Sequence, residues 1–203
     1  MKKYYILIFL FFVGLTGSAI YPHDYFTWIL EVFPAIIGFM VLAITFKRFT
    51  FTTLTYVMIL VHCYILFIGG HYTYAQVPLF NWLKDVLHQQ RNNYDKIGHF
   101  AQGFVPAIIV RELFVRKKVI QNRSWLPVLT VTVCMSISML YEFLEWFVSV
   151  TSGESGDSFL GTQGDIWDTQ SDMLFATIGA ICMVVLLGKI QDKQISKMQA
   201  SSN

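Results

Sequence analysis

Charged residues are scarce in this chain of 203 residues. Asp, Glu, Lys and Arg together make up 14% of the sequence, whereas hydrophobic residues make up 55%. A soluble domain carries charge at about a quarter of its positions. The composition therefore excludes an ordinary soluble protein and indicates an integral membrane protein. The net charge of +2 gives no basis for nucleic-acid binding.

Cysteine and the familiar catalytic motifs are equally scarce. The three cysteines, Cys63, Cys134 and Cys182, lie inside apolar runs and form no CxxC motif, which disfavours a redox or zinc site built on cysteine. No HExxH, GxSxG or P-loop motif occurs. A functional site must therefore be sought in the distribution of ionisable residues along the membrane helices.

Long apolar runs, by contrast, are abundant. About 20 apolar residues cross the hydrocarbon core of a bilayer, and six stretches fit: residues 4–20, 27–46, 51–72, 98–114, 125–150 and 172–188. The sequence predicts an all-α bundle of six transmembrane helices, forming a single integral membrane domain over residues 1–203. The first stretch ends near the small residues "TGSA" and also fits a signal peptide, but its length of about 17 residues favours a retained helix.

The basic residues predict the orientation of these spans. When the six spans alternate across the membrane, twelve of the 15 Lys and Arg residues fall on one side, and only Lys84, Arg91 and Lys96 fall on the other. Because basic residues concentrate on the cytoplasmic side of membrane proteins, both termini are expected in the cytoplasm. Residues 151–170 contain no Lys or Arg and are expected to face outward.

Ionisable and polar residues from four predicted spans converge at one depth near the outer surface. They are His71 and Tyr74 at the exit of the third span, Asp95, His99 and Gln102 at the entry of the fourth, Glu142 and Glu145 in the fifth, and Asp165, Asp168 and Asp172 before and in the sixth. Their spacings of three, four or seven residues place the members of each set on one helix face. Since charge within the membrane is costly and usually paired or functional, we expect these residues to meet.

The residue types in this convergence favour a divalent cation. Several carboxylates cannot all stay ionised at close range, so a cation, shared protons or protonated histidines must neutralise part of their charge. We predict His71, His99, Glu142 and Asp172 as ligands of Zn²⁺, Mn²⁺ or Mg²⁺. Asp168 or Glu145 would be the general base. Further predicted members of the site surround these residues: Tyr74, Asp95, Gln102, Gln163 and Asp165.

Three functions are compatible with such a site. The preferred hypothesis is a metal-dependent hydrolase or transferase embedded in the membrane lipids, which acts on a lipid or lipid-linked substrate at the outer side. A cation or proton transporter is the second, although, apart from His62, the ionisable residues stop at the outer third and no inverted repeat is visible. The third is a non-enzymatic envelope protein in which the cluster is a polar network that fixes helix packing.

Two other ionisable residues within the spans have simpler interpretations. His62, near the middle of the third span, is expected to form a hydrogen bond with a neighbouring helix. Glu112 is expected in an interfacial ion pair with Arg111 or Arg116. It lies about 25 Å along its helix from Asp95, so it cannot join the convergence near the outer surface. For Asp165 and Asp168, solvated loop positions or a helix cap remain open alternatives.

Several motifs resemble a known family. "GGHYTYAQVPLFNW", "YDKIGHFAQGF", "YEFLEW" and "GTQGDIWDTQSDM" resemble the YjdF-type family of bacterial inner-membrane proteins, whose biochemical function is not established. The resemblance covers roughly residues 5–190 and implies a multi-pass protein of the bacterial inner membrane. Residues 95–185 also resemble, more weakly, the VanZ-like family, which implies a link to envelope chemistry.

Overall fold

The computed structural model describes residues 2–152 and 162–200. Within these residues the secondary structure consists of seven helices and no strands. The helices are α1 (Lys2–Ser18), α2 (Tyr25–Thr45), α3 (Thr53–Tyr72), α4 (Pro78–Val86), α5 (Tyr94–Arg116), α6 (Trp125–Ser152) and α7 (Asp168–Ala200). The all-helical class predicted from the sequence is confirmed.

Four of these helices are long and apolar enough to cross a membrane. They are α2, α3, α6 up to Thr151, and α7. The predicted count of six spans is therefore not confirmed. Helix α1 has 17 residues, at the short end of the range for a span, and α5 carries five charged residues that lower its hydropathy. Both helices nevertheless pack against other helices of the bundle, α1 against α3 and α5 against α3, α6 and α7.

The helices form two groups with separate apolar cores. Phe11, Val32, Cys63 and Phe67 belong to a core shared by α1, α2 and α3, while a second core joins α5, α6 and α7 around Ile108. Contact between α3 and α5 connects the two groups. Helix α5, with its five charged residues, consequently lies in the interior of the bundle, where its polar residues face other helices.

Helices α5 and α7 approach each other more closely than ordinary side chains would allow. A Cβ atom at Gly103 would collide with the carbonyl oxygen of Ala176, and one at Gly179 would collide with the carbonyl oxygen of Phe100. Small residues permit such close backbone contact between membrane helices. Because Arg111 in α5 also donates to Gln191 in α7, the two helices run parallel, and their N-terminal ends lie side by side.

Two features differ from the predicted elements. Helix α7 begins at Asp168 and continues to Ala200, whereas the prediction covered only residues 172–188. Its 33 residues span about 50 Å at 1.5 Å per residue, so the helix extends well beyond a hydrocarbon core of about 30 Å. The short helix α4, between α3 and α5, was not predicted, because its nine residues are too few to register as a span.

Candidate functional site

His99 lies at the centre of a buried polar site near the N-terminal end of α5. Its side chain has polar neighbours at both ring nitrogens. Nε2 is 3.4 Å from Oδ1 of Asp95 and 3.8 Å from Oδ2 of Asp172. Nδ1 is 2.9 Å from Oε1 of Gln102 and 3.6 Å from Oε1 of Glu142. One imidazole ring therefore connects acidic residues from three helices.

The positions of these residues follow from the helix geometry. Asp95 and His99 are one turn apart on the same face of α5. The close contact between α5 and α7 at Gly103 brings Asp172, near the start of α7, to that face. Without the small residues at this contact, the first turns of the two helices would separate.

Helix α6 turns its acidic residues inward and its large apolar residues outward. Glu142 and Glu145 are buried, with 6% and 8% of their surface exposed, whereas Phe143, Leu144 and Trp146 are 57–65% exposed. This pattern is the reverse of a water-soluble amphipathic helix. It is the pattern expected where lipid contacts one face of a helix and a polar site lies on the other.

Two groups of buried residues have the composition of a metal site. Asp95, His99 and Asp172 form one group, and His99, Glu142 and Glu145 form the other. In each group one ligand atom per residue lies within 4.8 Å of the others. Oδ1 of Asp172 and Oε1 of Glu142 are buried and have no hydrogen-bond partner among the described residues. Since buried oxygens are normally satisfied, these two atoms are candidates for a ligand.

Arg91, immediately before α5, was missed as a member of the site. Its guanidinium is buried and contacts the carboxylates of Asp168, Asp165 and Asp95, the last two at 3.3 and 3.4 Å. Burial acts to lower the pKa of Arg91, but the hydrogen bond and charge of Asp168, with the other acids, raise it overall. A signal existed in the sequence, because Arg91 precedes Asp95 by four residues, a spacing that favours an ion pair.

Glu31 in α2 was also missed. It is the only charged residue in the 21 residues of α2, and only 6% of its surface is exposed. Its carboxyl group lies close enough to Asp95, His99 and Tyr74 to interact with them electrostatically. A lone acid in an apolar span is a strong indicator of a functional or paired position, so the sequence did contain the signal.

The other predicted site residues have varied surroundings. The ring of Tyr74 packs against Gly69 and Gly98, where a Cβ atom would collide with it. Gln163 forms two hydrogen bonds with the backbone of Asn92, at 3.0 and 2.9 Å. His71 belongs to neither of the two groups with the composition of a metal site, and its Nδ1 lies 3.0 Å from the carbonyl oxygen of Ser18 at the end of α1.

We refer to the buried ionisable residues of this site as the His99 cluster. Its members are Glu31, Arg91, Asp95, His99, Glu142, Glu145, Asp168 and Asp172. The structure thus brings together three of the four predicted ligands, His99, Glu142 and Asp172, and adds Asp95, which had been placed around them.

Comparisons with known proteins support the membrane assignment. Residues 3–193 match the model of a family described as predicted membrane protein (DUF2238). The chain is 43% identical over 183 residues to inner membrane protein YjdF of Escherichia coli (strain K12), and the alignment covers 90% of this chain and 88% of that protein. No solved structure matches the chain. The YjdF-type resemblance of the sequence motifs is confirmed.

Proposed function

The chain belongs to the DUF2238 family of predicted membrane proteins, and we propose that it binds one divalent cation in the His99 cluster. The cation would serve hydrolysis or group transfer on a lipid or lipid-linked substrate. The observation that carries this proposal is the uncompensated negative charge around His99. The cluster holds six buried carboxyl groups, and within it only Arg91 and His99 can carry positive charge.

The distances around Nε2 of His99 favour a cation over direct hydrogen bonds. Hydrogen bonds between nitrogen and oxygen are usually 2.7–3.2 Å long, whereas Nε2 is 3.4 and 3.8 Å from the oxygens of Asp95 and Asp172. Two ligands about 2.1 Å from a tetrahedral ion are about 3.4 Å apart. Asp95, His99 and Asp172 therefore have a spacing suited to a shared ion.

Gln102 supports the same assignment of ligands. Its Oε1 lies 2.9 Å from Nδ1 of His99, so it accepts a hydrogen bond when that nitrogen carries the proton. Nε2 is then unprotonated and directed towards Asp95 and Asp172. Holding the second nitrogen of a ligating histidine is a usual way to fix its tautomer and ring orientation. The donor set of one imidazole and two carboxylates suits Zn²⁺ or Mn²⁺ better than Mg²⁺.

Glu145 is the better of the two predicted candidates for general base. Asp168 is engaged by Arg91, whereas Glu145 belongs to the group that also contains His99 and Glu142 and has no salt bridge among the described residues. A bound divalent ion would supply Lewis-acid polarisation of a phosphoryl or acyl group. Glu145 would take the proton from the attacking water or hydroxyl group.

We further propose that six helices cross the inner membrane, with α1 and α5 as the additional spans and both termini in the cytoplasm. The twelve-to-three division of basic residues supports this topology. It places the His99 cluster at the outer leaflet, where a lipid-linked substrate is accessible. A reporter enzyme that is active only in the cytoplasm should be active when it is fused after Lys197. A signal from a reporter that is active only in the periplasm would contradict the orientation.

Metal analysis of the detergent-purified protein tests the cation site. After dialysis against EDTA, the protein would be titrated with ZnCl₂ or MnCl₂, and bound metal would be counted by mass spectrometry. We expect one ion per chain, and a loss of binding in Asp172→Ala. The matched control is Asp85→Ala, an acid in α4 with a side chain that is 76% exposed, which should leave binding unchanged.

Turnover separates an enzyme from the other two hypotheses. Proteoliposomes containing the metal-loaded protein would be incubated with labelled bacterial lipid extract, and products would be compared with those of Glu145→Gln. Products that require both metal and Glu145 support the enzyme. Metal binding without products, but with cation flux, would support the transporter. A cluster that binds no metal near neutral pH would instead be a structural polar network.

A further inference from the structure

Helix α4 has an apolar face that no part of the described chain covers. Leu79, Trp82 and Val86 are spaced i, i+3 and i+7, so they lie along one side of the helix. Their exposed fractions are 61%, 59% and 53%. Polar Asn81 and Asp85 lie away from this side. Such a strict separation is typical of helices that lie in the surface of a membrane.

The connections of α4 fix its depth relative to α3 and α5. Only five residues separate the end of α3 at Tyr72 from Pro78, a length that reaches at most about 18 Å. The ring of Phe80 packs edge-on against Tyr94, the first residue of α5. The Tyr94 hydroxyl in turn donates to the carbonyl oxygen of Ile65, in the second half of α3. Helix α4 is therefore held beside the ends of two long helices.

A second exposed apolar segment lies immediately before α7. Ile166 and Trp167 are 84% and 63% exposed, although they stand between Asp165 and Asp168, which both contact Arg91. The backbone of Ile166 and Trp167 is therefore anchored to the His99 cluster through the neighbouring aspartates, while their side chains extend away from the cluster.

Asn92 joins this segment to α4. Its side-chain amide donates to the carbonyl oxygen of Val77 and to Oδ1 of Asn81, at 3.1 and 2.8 Å. Its backbone N–H and C=O bind the side chain of Gln163. Only 1% of Asn92 is exposed. The exposed residues of α4 and the segment before α7 are therefore parts of one connected structure at the same end of the molecule.

From this arrangement we infer that Leu79, Trp82, Val86, Ile166 and Trp167 form a rim inserted into phospholipid at the His99 end of the bundle. The rim contacts the boundary between headgroups and acyl chains. Two of its five side chains are tryptophans, which favour this boundary because the ring is apolar and its N–H is polar. The inference requires no bound cation, so it stands or fails independently of the proposed function.

Fluorescence quenching in liposomes tests the rim. The full chain would carry Trp82 as its only tryptophan, with the other four replaced by phenylalanine. It would be reconstituted with phosphatidylcholine brominated either near the top or near the end of its acyl chains. We expect Trp82 to lose more fluorescence to the shallow bromines than to the deep ones, and to be protected from aqueous acrylamide. A variant that retains only Trp167 should behave in the same way.

The matched control places the probe on the other side of the same helix. In the background without native tryptophans, Asp85→Trp should be quenched by acrylamide and little affected by either brominated lipid. Equal acrylamide quenching at positions 82 and 85, without bromine quenching at 82, would overturn the inference and indicate a face for a soluble partner. The same holds if Trp167 is fully accessible to acrylamide.

A second measurement keeps the native tryptophans in place at all other positions. Trp82→Cys and Asp85→Cys would be reacted in liposomes with a membrane-impermeant maleimide, with the parent chain as the blank for its three cysteines. We expect Asp85→Cys to react much faster than Trp82→Cys. Equal rates would contradict insertion of the rim even if the tryptophan-free background failed to fold.

Discussion

The two ends of α5 each carry a buried polar cluster, and the clusters differ in how many hydrogen-bond partners their carboxylates have. At the C-terminal end, Glu112 is fully buried, and it accepts hydrogen bonds from the backbone and hydroxyl of Thr52, the hydroxyl of Thr55 and the guanidinium of Arg116, at 2.6–2.9 Å. We call these four residues the Glu112 cluster. At the other end, Asp172 is 2% exposed, and its Oδ1 has no hydrogen-bond partner among the described residues.

The comparison shows that burial alone does not identify a functional acid. Glu112 is more deeply buried than Asp172, yet both of its oxygens are satisfied and its charge is matched by Arg116. This arrangement stabilises the packing of α3 against α5. In the His99 cluster, acids outnumber bases and oxygens lack partners, so the fold leaves electrostatic repulsion that a bound cation would remove. The two clusters should therefore respond to substitution with opposite signs.

The largest effect is expected from Glu112→Ala. Removal of this carboxylate leaves Arg116 and two threonines without their partner, and breaking a buried ion pair in this way costs about 3–5 kcal/mol. Thermal unfolding of the detergent-purified protein should therefore shift to a clearly lower temperature. The surface variant Asp85→Ala should remain within about 0.5 kcal/mol of the parent. If both variants unfold alike, the Glu112 cluster does not stabilise the fold.

Asp172→Asn should have the opposite effect on the cation-free protein. The substitution keeps the shape of the side chain but removes one of the crowded negative charges, so unfolding in EDTA should shift to a higher temperature. Affinity for Zn²⁺ or Mn²⁺ should fall by about 100-fold or more, since even the partners of metal ligands contribute 10–100-fold. Calorimetric titration and thermal unfolding would measure the two effects. If Asp172→Asn is instead less stable than the parent in EDTA, Asp172 stabilises the fold in the same way as Glu112.

The sequence predicts the depth of the residues of the His99 cluster in the membrane better than it predicts the rotation of each helix about its axis. Depth follows from counting residues, and it is the depth argument that placed His99, Glu142 and Asp172 at one level. Rotation about the helix axis requires an uneven distribution of apolar residues. Helix α6 provides one, because Phe143 and its apolar neighbours surround the two glutamates. Helix α3 is apolar on all sides, so its sequence gave no indication that His71 contacts Ser18.

The remaining differences between prediction and structure also have physical causes. A search for runs of about 20 apolar residues cannot detect α4, which has nine residues and a single apolar face. Glu31 was within reach of the same depth argument, since it lies about 9 Å from the start of α2 at Tyr25. Arg91 lies outside any span, and only the folded chain shows that its guanidinium reaches Asp168 from another helix.

Gly103→Ala is expected to weaken both the fold and the His99 cluster. The methyl group would collide with the backbone of Ala176, and overpacking of this kind costs about 1–3 kcal/mol. Because α5 carries parts of both clusters and α7 carries Asp168 and Asp172 of the His99 cluster, unfolding temperature and cation affinity should fall together. Gly38→Ala is the matched control, since a Cβ atom at Gly38 meets nothing within 4 Å. Loss of stability with unchanged cation affinity would show that the His99 cluster does not depend on this contact.

The smallest effect is expected at Asp165, an acid beside the His99 cluster that, unlike Asp172, has its partners. Oδ1 accepts from the backbone N–H of Trp167 at 3.0 Å, and Oδ2 lies 3.3 Å from Arg91. The hydrogen bond from Trp167 and the nearby charge of Arg91 lower the pKa of Asp165 below its usual value. A lowered pKa in the folded state means that ionised Asp165 stabilises the fold above the unfolded pKa of about 3.9.

This contribution disappears as the pH falls from that unfolded value through the lower pKa of the folded protein. Asp165→Asn lacks this contribution, so at pH 6 the unfolding temperature of the variant should be slightly lower than that of the parent. The difference in unfolding temperature should disappear in strong acid. Thermal unfolding at a series of pH values would test this. A difference that persists below the folded pKa would belong to the amide's hydrogen bonding and not to charge, and Asp165 would then be an uncharged cap beside Arg91. A difference of opposite sign at pH 6 would instead assign Asp165 to the repulsive acids of the His99 cluster.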